Sequence, residues 1–198
     1  MNPRRQVFLA VMTALLSMSP CAYAEDRPAS EALPALLLDI NGDGEMDRAV
    51  ISENSDDGSL DLSLYLSIGT HRPATAQKPS VFAPSFIEGA DITLQSLGGA
   101  LVVSASYNLY GNDWDERLTI AFRDGGFWVT AIQRSWEMAS RKSNLDVDVN
   151  IGSCSIDLVS GQGDASRDLA DPTPLPNRYA SVRLQDWSDA TMPAPCRF

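Results

Sequence analysis

The sequence is poor in the side chains that carry much enzyme chemistry. It contains one histidine and three cysteines among 198 residues, and no two cysteines have CxxC spacing. Zinc sites and Cys–His pairs need several such residues at defined spacings. No Ser-His-Asp set or glycine-rich phosphate loop can be read from the chain either. These absences argue against the common hydrolases and nucleotide enzymes.

The single histidine, His71, lies in the stretch 69–84, which has three prolines and no apolar periodicity. We interpret this stretch as an exposed, Pro-rich loop. Catalysis by a histidine requires a partner that orients it, and the sequence assigns none to His71. We therefore expect a solvent-exposed histidine.

Basic residues are scarce, with 15 Lys plus Arg against 26 Asp plus Glu. Removal of Arg4 and Arg5 with the leader described next leaves 13 − 26 = −13. Nucleic acid and anionic membranes are poor partners for such a surface. A cation, a basic protein or an uncharged ligand fits better, and plain solubility is the simplest use of surface acid.

No apolar run approaches the roughly 20 residues of a membrane-spanning helix. The run 7–16 follows Arg4 and Arg5 and precedes Ala22-Tyr23-Ala24, which is the pattern of a secretory signal peptide. Cys21 suggests a lipoprotein instead, but Pro20 fits a lipobox poorly. We expect cleavage after Ala24, loss of residues 1–24, and export of residues 25–198 as a single β-rich domain to a bacterial periplasm or beyond the cell.

Two cysteines, Cys154 and Cys196, remain in the exported part. An oxidising compartment favours a disulfide between them. The bond would close a loop of about 40 residues and contribute about 3–4 kcal/mol if unstrained. It would fix the C-terminus to the body of the domain.

One acidic, glycine-containing stretch, from Leu36 to Ser52, stands between two apolar runs. Oxygen-bearing side chains occupy positions one, three, five and nine of a short loop, and position seven can contribute a backbone carbonyl. Calcium takes about six to eight oxygen ligands, and a glycine at position six, here Gly44, allows the sharp bend. The pattern predicts one Ca²⁺ site with the ligands Asp39, Asn41, Asp43, Glu45 and Asp47.

The stretch departs from an EF-hand, because Val50 occupies position twelve and the flanks are β-formers rather than helices. It resembles the calcium loops of FG-GAP and VCBS-type repeats, known from β-propellers, and this resemblance implies a strand-loop-strand site. A propeller needs about four to eight blades, whereas the chain has no second DxNxDG. The resemblance therefore covers the loop alone, and a turn without metal is the alternative.

Alternating hydrophobicity and turn signals predict a mainly β fold, an antiparallel meander that is sandwich-like or a partly open barrel, with little helix. Gly98-Gly99 and Asp124-Gly125-Gly126 are the clearest hairpin turns. We expect a loop at 108–113 and a Pro-rich C-terminal tail, 171–198, with one amphipathic element at 178–187. The element order resembles that of small exported bacterial proteins. Beyond the calcium stretch, the predicted strands are 60–68, 91–97, 100–107, 114–123, 127–136, 145–151 and 155–159.

Three carboxylates beside Trp114, those of Asp113, Asp115 and Glu116, could serve a carbohydrate-active enzyme. Turn chemistry explains the same residues with fewer assumptions. We expect a non-catalytic binding or structural module of the periplasm or cell envelope, with a protein or glycan partner. An immunity or inhibitor protein that binds a basic exported partner through its acidic surface is an alternative.

Overall fold

The computed structural model describes residues 34–54, 59–67, 79–87, 91–109, 112–141, 147–168 and 170–197. The predicted leader 1–24, His71 and most of the predicted loop 69–84 lie outside these ranges. Residues Ala32–Phe198 form one compact unit. Its described residues contain no helix that is long and apolar enough to cross a membrane.

The described strands form two antiparallel sheets that are not closed into a barrel. The prediction of a mainly β, antiparallel fold is therefore confirmed. The smaller sheet has four strands in chain order, β1 (Ala35–Leu38), β2 (Asp47–Glu53), β3 (Leu60–Tyr65) and β4 (Val81–Ile87). Residues Leu60 to Leu64 of β3 are buried without alternation. The central strand of this sheet is therefore covered on both faces, which its alternating sequence does not predict.

The larger sheet is a meander of hairpins in the order β11-β10-β9-β8-β7-β6-β5, and β12 pairs with β8. The hairpin turns at Gly98-Gly99 and Asp124-Gly125 are confirmed. The strands are β5 (Asp91–Leu97), β6 (Ala100–Leu109), β7 (Asn112–Arg123), β8 (Gly126–Arg141), β9 (Val147–Asp157), β10 (Gln162–Arg167), β11 (Thr173–Pro174) and β12 (Val182–Arg183).

Several predicted boundaries are wrong because strand pairing continues through polar residues. Leu109 pairs with Asn112, so four of the six residues of the expected loop 108–113 belong to β6 and β7. The two strands expected at 145–151 and 155–159 are one strand, β9, paired along its length with β8. The predicted loop 69–84 ends earlier than expected, because residues 81–84 belong to β4. One of them is Pro84, and β4 is an edge strand, where a proline is tolerated.

One buried apolar cluster draws residues from both sheets and from the C-terminal segment. Cross-strand partners share a face, so the register divides the larger sheet into an inner face, which carries the cluster, and a polar outer face. The fully buried inner-face residues include Leu101, Val103, Leu118, Ile120, Val129 and Ile132.

The C-terminal segment completes the inner face. Leu184, Trp187, Met192 and Cys196 are all buried in the core cluster. Its only helical elements among the described residues are two 3-10 turns, Leu184–Asp186 and Ala194–Cys196. The amphipathic element expected at 178–187 is therefore β12 followed by a single turn.

Candidate functional site

The predicted calcium loop connects β1 and β2, which makes it a strand-loop-strand connection. Both carboxylate oxygens of Asp39 accept backbone hydrogen bonds: Oδ1 from the N–H groups of Gly42 (2.8 Å) and Asp43 (3.1 Å), and Oδ2 from the N–H of Gly44 (2.9 Å). Gly42 and Gly44 have φ angles of 78° and 86°, a region that favours glycine. The sequence of the loop thus fixes its own tight backbone.

Asp47, the last predicted ligand, lies at the base of the loop and is 1% exposed. Its Oδ2 accepts the N–H of Ile40 (3.1 Å) and its Oδ1 accepts the N–H of Ser67 (2.9 Å). Burial raises the pKa of Asp47, the negative charge of Asp43 adds to that rise, and the two N–H donors oppose it. A positive charge close to this carboxylate would favour its ionised form.

The donor set fits calcium in type and order, but its side-chain oxygens are not gathered around one point. The Asn41 amide donates to Asp43 Oδ2 (2.8 Å), and the Glu45 N–H donates to Asp43 Oδ1 (2.8 Å). Within the part of the chain that the structure describes, no group of three or more His, Cys, Asp or Glu side chains is arranged to hold a metal. Oxygens that accept one N–H keep a second lone pair, so the hydrogen bonds accepted by Asn41 and Asp43 leave both side chains able to accept a cation.

The predicted disulfide is present, joining Cys154 of β9 to Cys196. A buried ion pair lies on the same face, where Arg134 Nε is 3.0 Å from Glu116 Oε2. Arg134 also donates to the Cys196 carbonyl (3.2 Å) and lies over the Trp114 ring, 5.6 Å from its centroid. The disulfide and the hydrogen bond from Arg134 to the Cys196 carbonyl together hold the C-terminal segment on the inner face.

The outer face of the larger sheet carries a concavity of about 460 Å³ that crosses β5 to β9. A second concavity, of about 470 Å³, adjoins it over β9 to β11, and Ser155 lines both. Among the described residues, no aromatic ring lines either one. The outer-face side chains that line them are Asp91, Thr93, Ser104, Ser106, Asp115, Arg117, Gln133, Ser135, Ser155, Asp157, Gln162 and Asp164.

Acidic side chains concentrate at one end of this face, which we call the acidic end: Asp91, Asp113, Asp115 and Glu137. Asp113 lies directly opposite Glu137 in the β7–β8 pairing, and Ser106 has Asp91 and Asp115 as its cross-strand partners. Like charges opposite each other across strands are destabilising. A cationic group bound there would relieve that repulsion.

The other end of the outer face is cationic and aromatic, and we call Arg123, Trp128 and Arg183 the arginine–tryptophan cluster. Register places Trp128 opposite Ala121 and beside Arg183 of β12. The guanidinium carbons of Arg123 and Arg183 lie 5.5 and 4.8 Å from the Trp128 ring centroid. The indole N–H donates to the Arg123 carbonyl (3.0 Å), which fixes the ring.

The carboxylates proposed for an enzyme do not share one face. Glu116 is buried against Arg134 on the inner face, whereas Asp113 and Asp115 point to the outer face. Of this cluster, only the two aspartates are accessible to an outer-face ligand. Sequence reasoning missed Arg117, Gln133 and Glu137 as their neighbours. The Asp124-Gly125 turn alone would not have placed them, because an irregularity between Thr119 and Ile120 shifts the β7–β8 register by one residue.

Comparison with protein-family models, curated proteins and solved structures finds no match for this chain.

Proposed function

We propose that this protein is an exported, non-catalytic β domain, stabilised by one Ca²⁺ in the loop from Asp39 to Asp47, that binds a partner in the periplasm or cell envelope. The observation that carries the proposal is the outer face of the larger sheet, a concave surface lined mainly by residues with polar side chains. Its opposite face supplies the core, so the sheet presents its polar face without loss of packing. The disulfide supports a non-reducing compartment.

The outer face suits a protein partner. Its residues supply carboxylates, hydroxyls, an amide and a guanidinium, and so both donate and accept hydrogen bonds. The described residues that line its two concavities include no ring on which a sugar could stack. A protein with complementary charges would gain orientation and rate of association from such a surface.

The calcium part of the proposal is tested by thermal unfolding of the chain from Glu25 onward, in calcium and in a chelator. Binding to the folded state at about 100 times the dissociation constant adds about 2.7 kcal/mol. The midpoint should then rise by roughly 5–10 °C, and the rise should disappear in Asp43→Ala. The exposed Asp171→Ala is the matched control and should keep it. A midpoint unaffected by calcium would make the loop a plain turn.

A narrower function, inhibition of a basic exported protein, is favoured by the acidic end. An amidated hexalysine peptide is a suitable probe, titrated at low and high salt. Asp113→Asn with Glu137→Gln should weaken its binding more than the equally charged control Asp171→Asn with Asp189→Asn, whose residues are exposed on the C-terminal segment. Equal losses in the two variants would show attraction to net charge alone, and the acidic end would not be a contact site.

A further inference from the structure

We infer that the arginine–tryptophan cluster is a docking site for an acidic segment of a protein partner. This inference rests on the proposed binding role of the outer face and specifies the charge of the partner at one end of it. The partner would place its acidic segment over Arg123, Trp128 and Arg183, and any basic segment over the acidic end.

The first step is that the two arginine charges are not neutralised within the described chain. Neither Arg123 nor Arg183 forms an ion pair with any described acidic side chain. This is unexpected in a chain with 26 acidic and 15 basic residues. Both guanidiniums rest on one indole, so they are close enough for a single acidic segment to contact both.

The second step is that the cluster is held in place before any partner arrives. The Trp128 indole is fixed by its hydrogen bond to Arg123, and β12 brings Arg183 to the same ring. The Nε of Arg123 is shielded from solvent and donates to no described residue. Buried donors in folded proteins are seldom left unpaired, so this Nε is an exception. Because no described acceptor holds it, we infer that stacking on Trp128 positions the Arg123 side chain. Preorganised arginine and tryptophan side chains are typical of interface residues that dominate binding energy.

The third step concerns the class of anion. The exported part carries a net charge of 13 − 26 = −13, so a long polyanion would be repelled outside the cluster. Screening limits such repulsion to about 8–10 Å in physiological salt. A short acidic peptide segment can contact the two guanidiniums within that range, and carboxylates match guanidinium geometry. The acidic end begins at Asp115, eight residues from Arg123 along β7, or about 26 Å, which leaves room for one partner to span both ends.

The test uses the exported chain, labelled with ¹⁵N, and an acetylated, amidated hexaglutamate peptide. The Trp128 indole resonance, assigned with Trp128→Phe, should shift in a saturable, salt-sensitive way. Arg123→Gln with Arg183→Gln should weaken binding about tenfold or more, since charge-assisted hydrogen bonds are lost. The control is Arg178→Gln, because Arg178, like Arg183, is exposed and lies over one ring, that of Tyr179, at 5.5 Å. It should change affinity by less than about twofold.

Three outcomes would overturn the inference. The first is that the Trp128 resonance does not respond to hexaglutamate. The second is that Arg178→Gln weakens binding as much as the double variant does. The third is that inorganic phosphate at equal charge concentration binds as well as the peptide, which would indicate a small-anion site. If hexalysine still binds the acidic end, only this inference fails. If neither peptide binds the outer face, the proposed binding function fails with it.

Discussion

Two arginine–tryptophan contacts on opposite faces of the same sheet have different environments. Arg134 lies over Trp114 on the inner face, in a pair with Glu116 whose side chains are 9% and 5% exposed. Arg183 lies over Trp128 on the outer face, is exposed, and has no ion-pair partner among the described acidic residues. The distances from the guanidinium carbon to the ring centroid are similar, at 5.6 and 4.8 Å. The exposure of the arginine and the presence of an ion-pair partner differ.

The difference distinguishes a charge that stabilises the fold from a charge that is accessible to a ligand. A buried cation needs a counter-charge inside the protein, because desolvation otherwise costs several kcal/mol. Arg134 therefore has Glu116, and it uses another donor to hold the Cys196 carbonyl. An exposed guanidinium is solvated and needs no internal partner, so it remains free to meet a ligand. The comparison predicts a large loss of stability when the buried charge is removed and almost none when the accessible charges are removed.

The largest effect is expected from Arg134→Met. It removes the guanidinium that forms the ion pair with the buried Glu116 carboxylate and the hydrogen bond to the Cys196 carbonyl. The free energy of unfolding should therefore fall by about 3–5 kcal/mol. Urea unfolding followed by tryptophan fluorescence measures the change. Arg178→Met, at an exposed position, is the control and should have little effect.

A second variant isolates the charge from the packing. Glu116→Leu combined with Arg134→Met removes both charges, and buried pairs can often be replaced by apolar residues at little cost. The double variant should therefore be more stable than Arg134→Met alone. If the double variant and Arg134→Met are equally unstable, lost packing rather than the loss of the Arg134–Glu116 ion pair accounts for the effect. The charge of Arg134 would then not be what stabilises the fold.

The fold class was predictable because its signals are local. Hairpin turns at Gly98-Gly99 and Asp124-Gly125, with alternation on either side, are enough to predict an antiparallel meander. The disulfide followed from a different argument, since Cys154 and Cys196 were the only cysteines expected after export. The position of the C-terminal segment was not predictable, because β12 and two short 3-10 turns have no periodicity of their own and take their shape from the core that they cover.

The calcium loop and the outer face also differ in how far the sequence predicts them. The hydrogen bonds to Asp39 lie within five residues, so the tight backbone of the loop could be anticipated, whereas the bond from Ser67 to Asp47 could not. Whether the loop holds calcium stays a prediction. The outer face could not be anticipated, because its concavities join residues from β5 to β11 that only the register brings together. Glu116 shows the same limit: its neighbours in sequence suggested an accessible carboxylate, whereas strand alternation turns it inward onto Arg134.

The smallest effect is expected from Arg123→Gln combined with Arg183→Gln. Arg183 is exposed, Arg123 is partly buried, and neither has an ion-pair partner among the described acidic residues, so we expect both charges to contribute little to stability. Removing two neighbouring cations also removes repulsion between them. The free energy of unfolding should change by less than about 0.5 kcal/mol per substitution, as measured by the same urea unfolding used for Arg134→Met. A loss of several kcal/mol would mean that Trp128 needs both guanidiniums to keep the β7–β8 hairpin in place. The cluster would then be structural, like Arg134 and Trp114, and its charges would not be available to a partner.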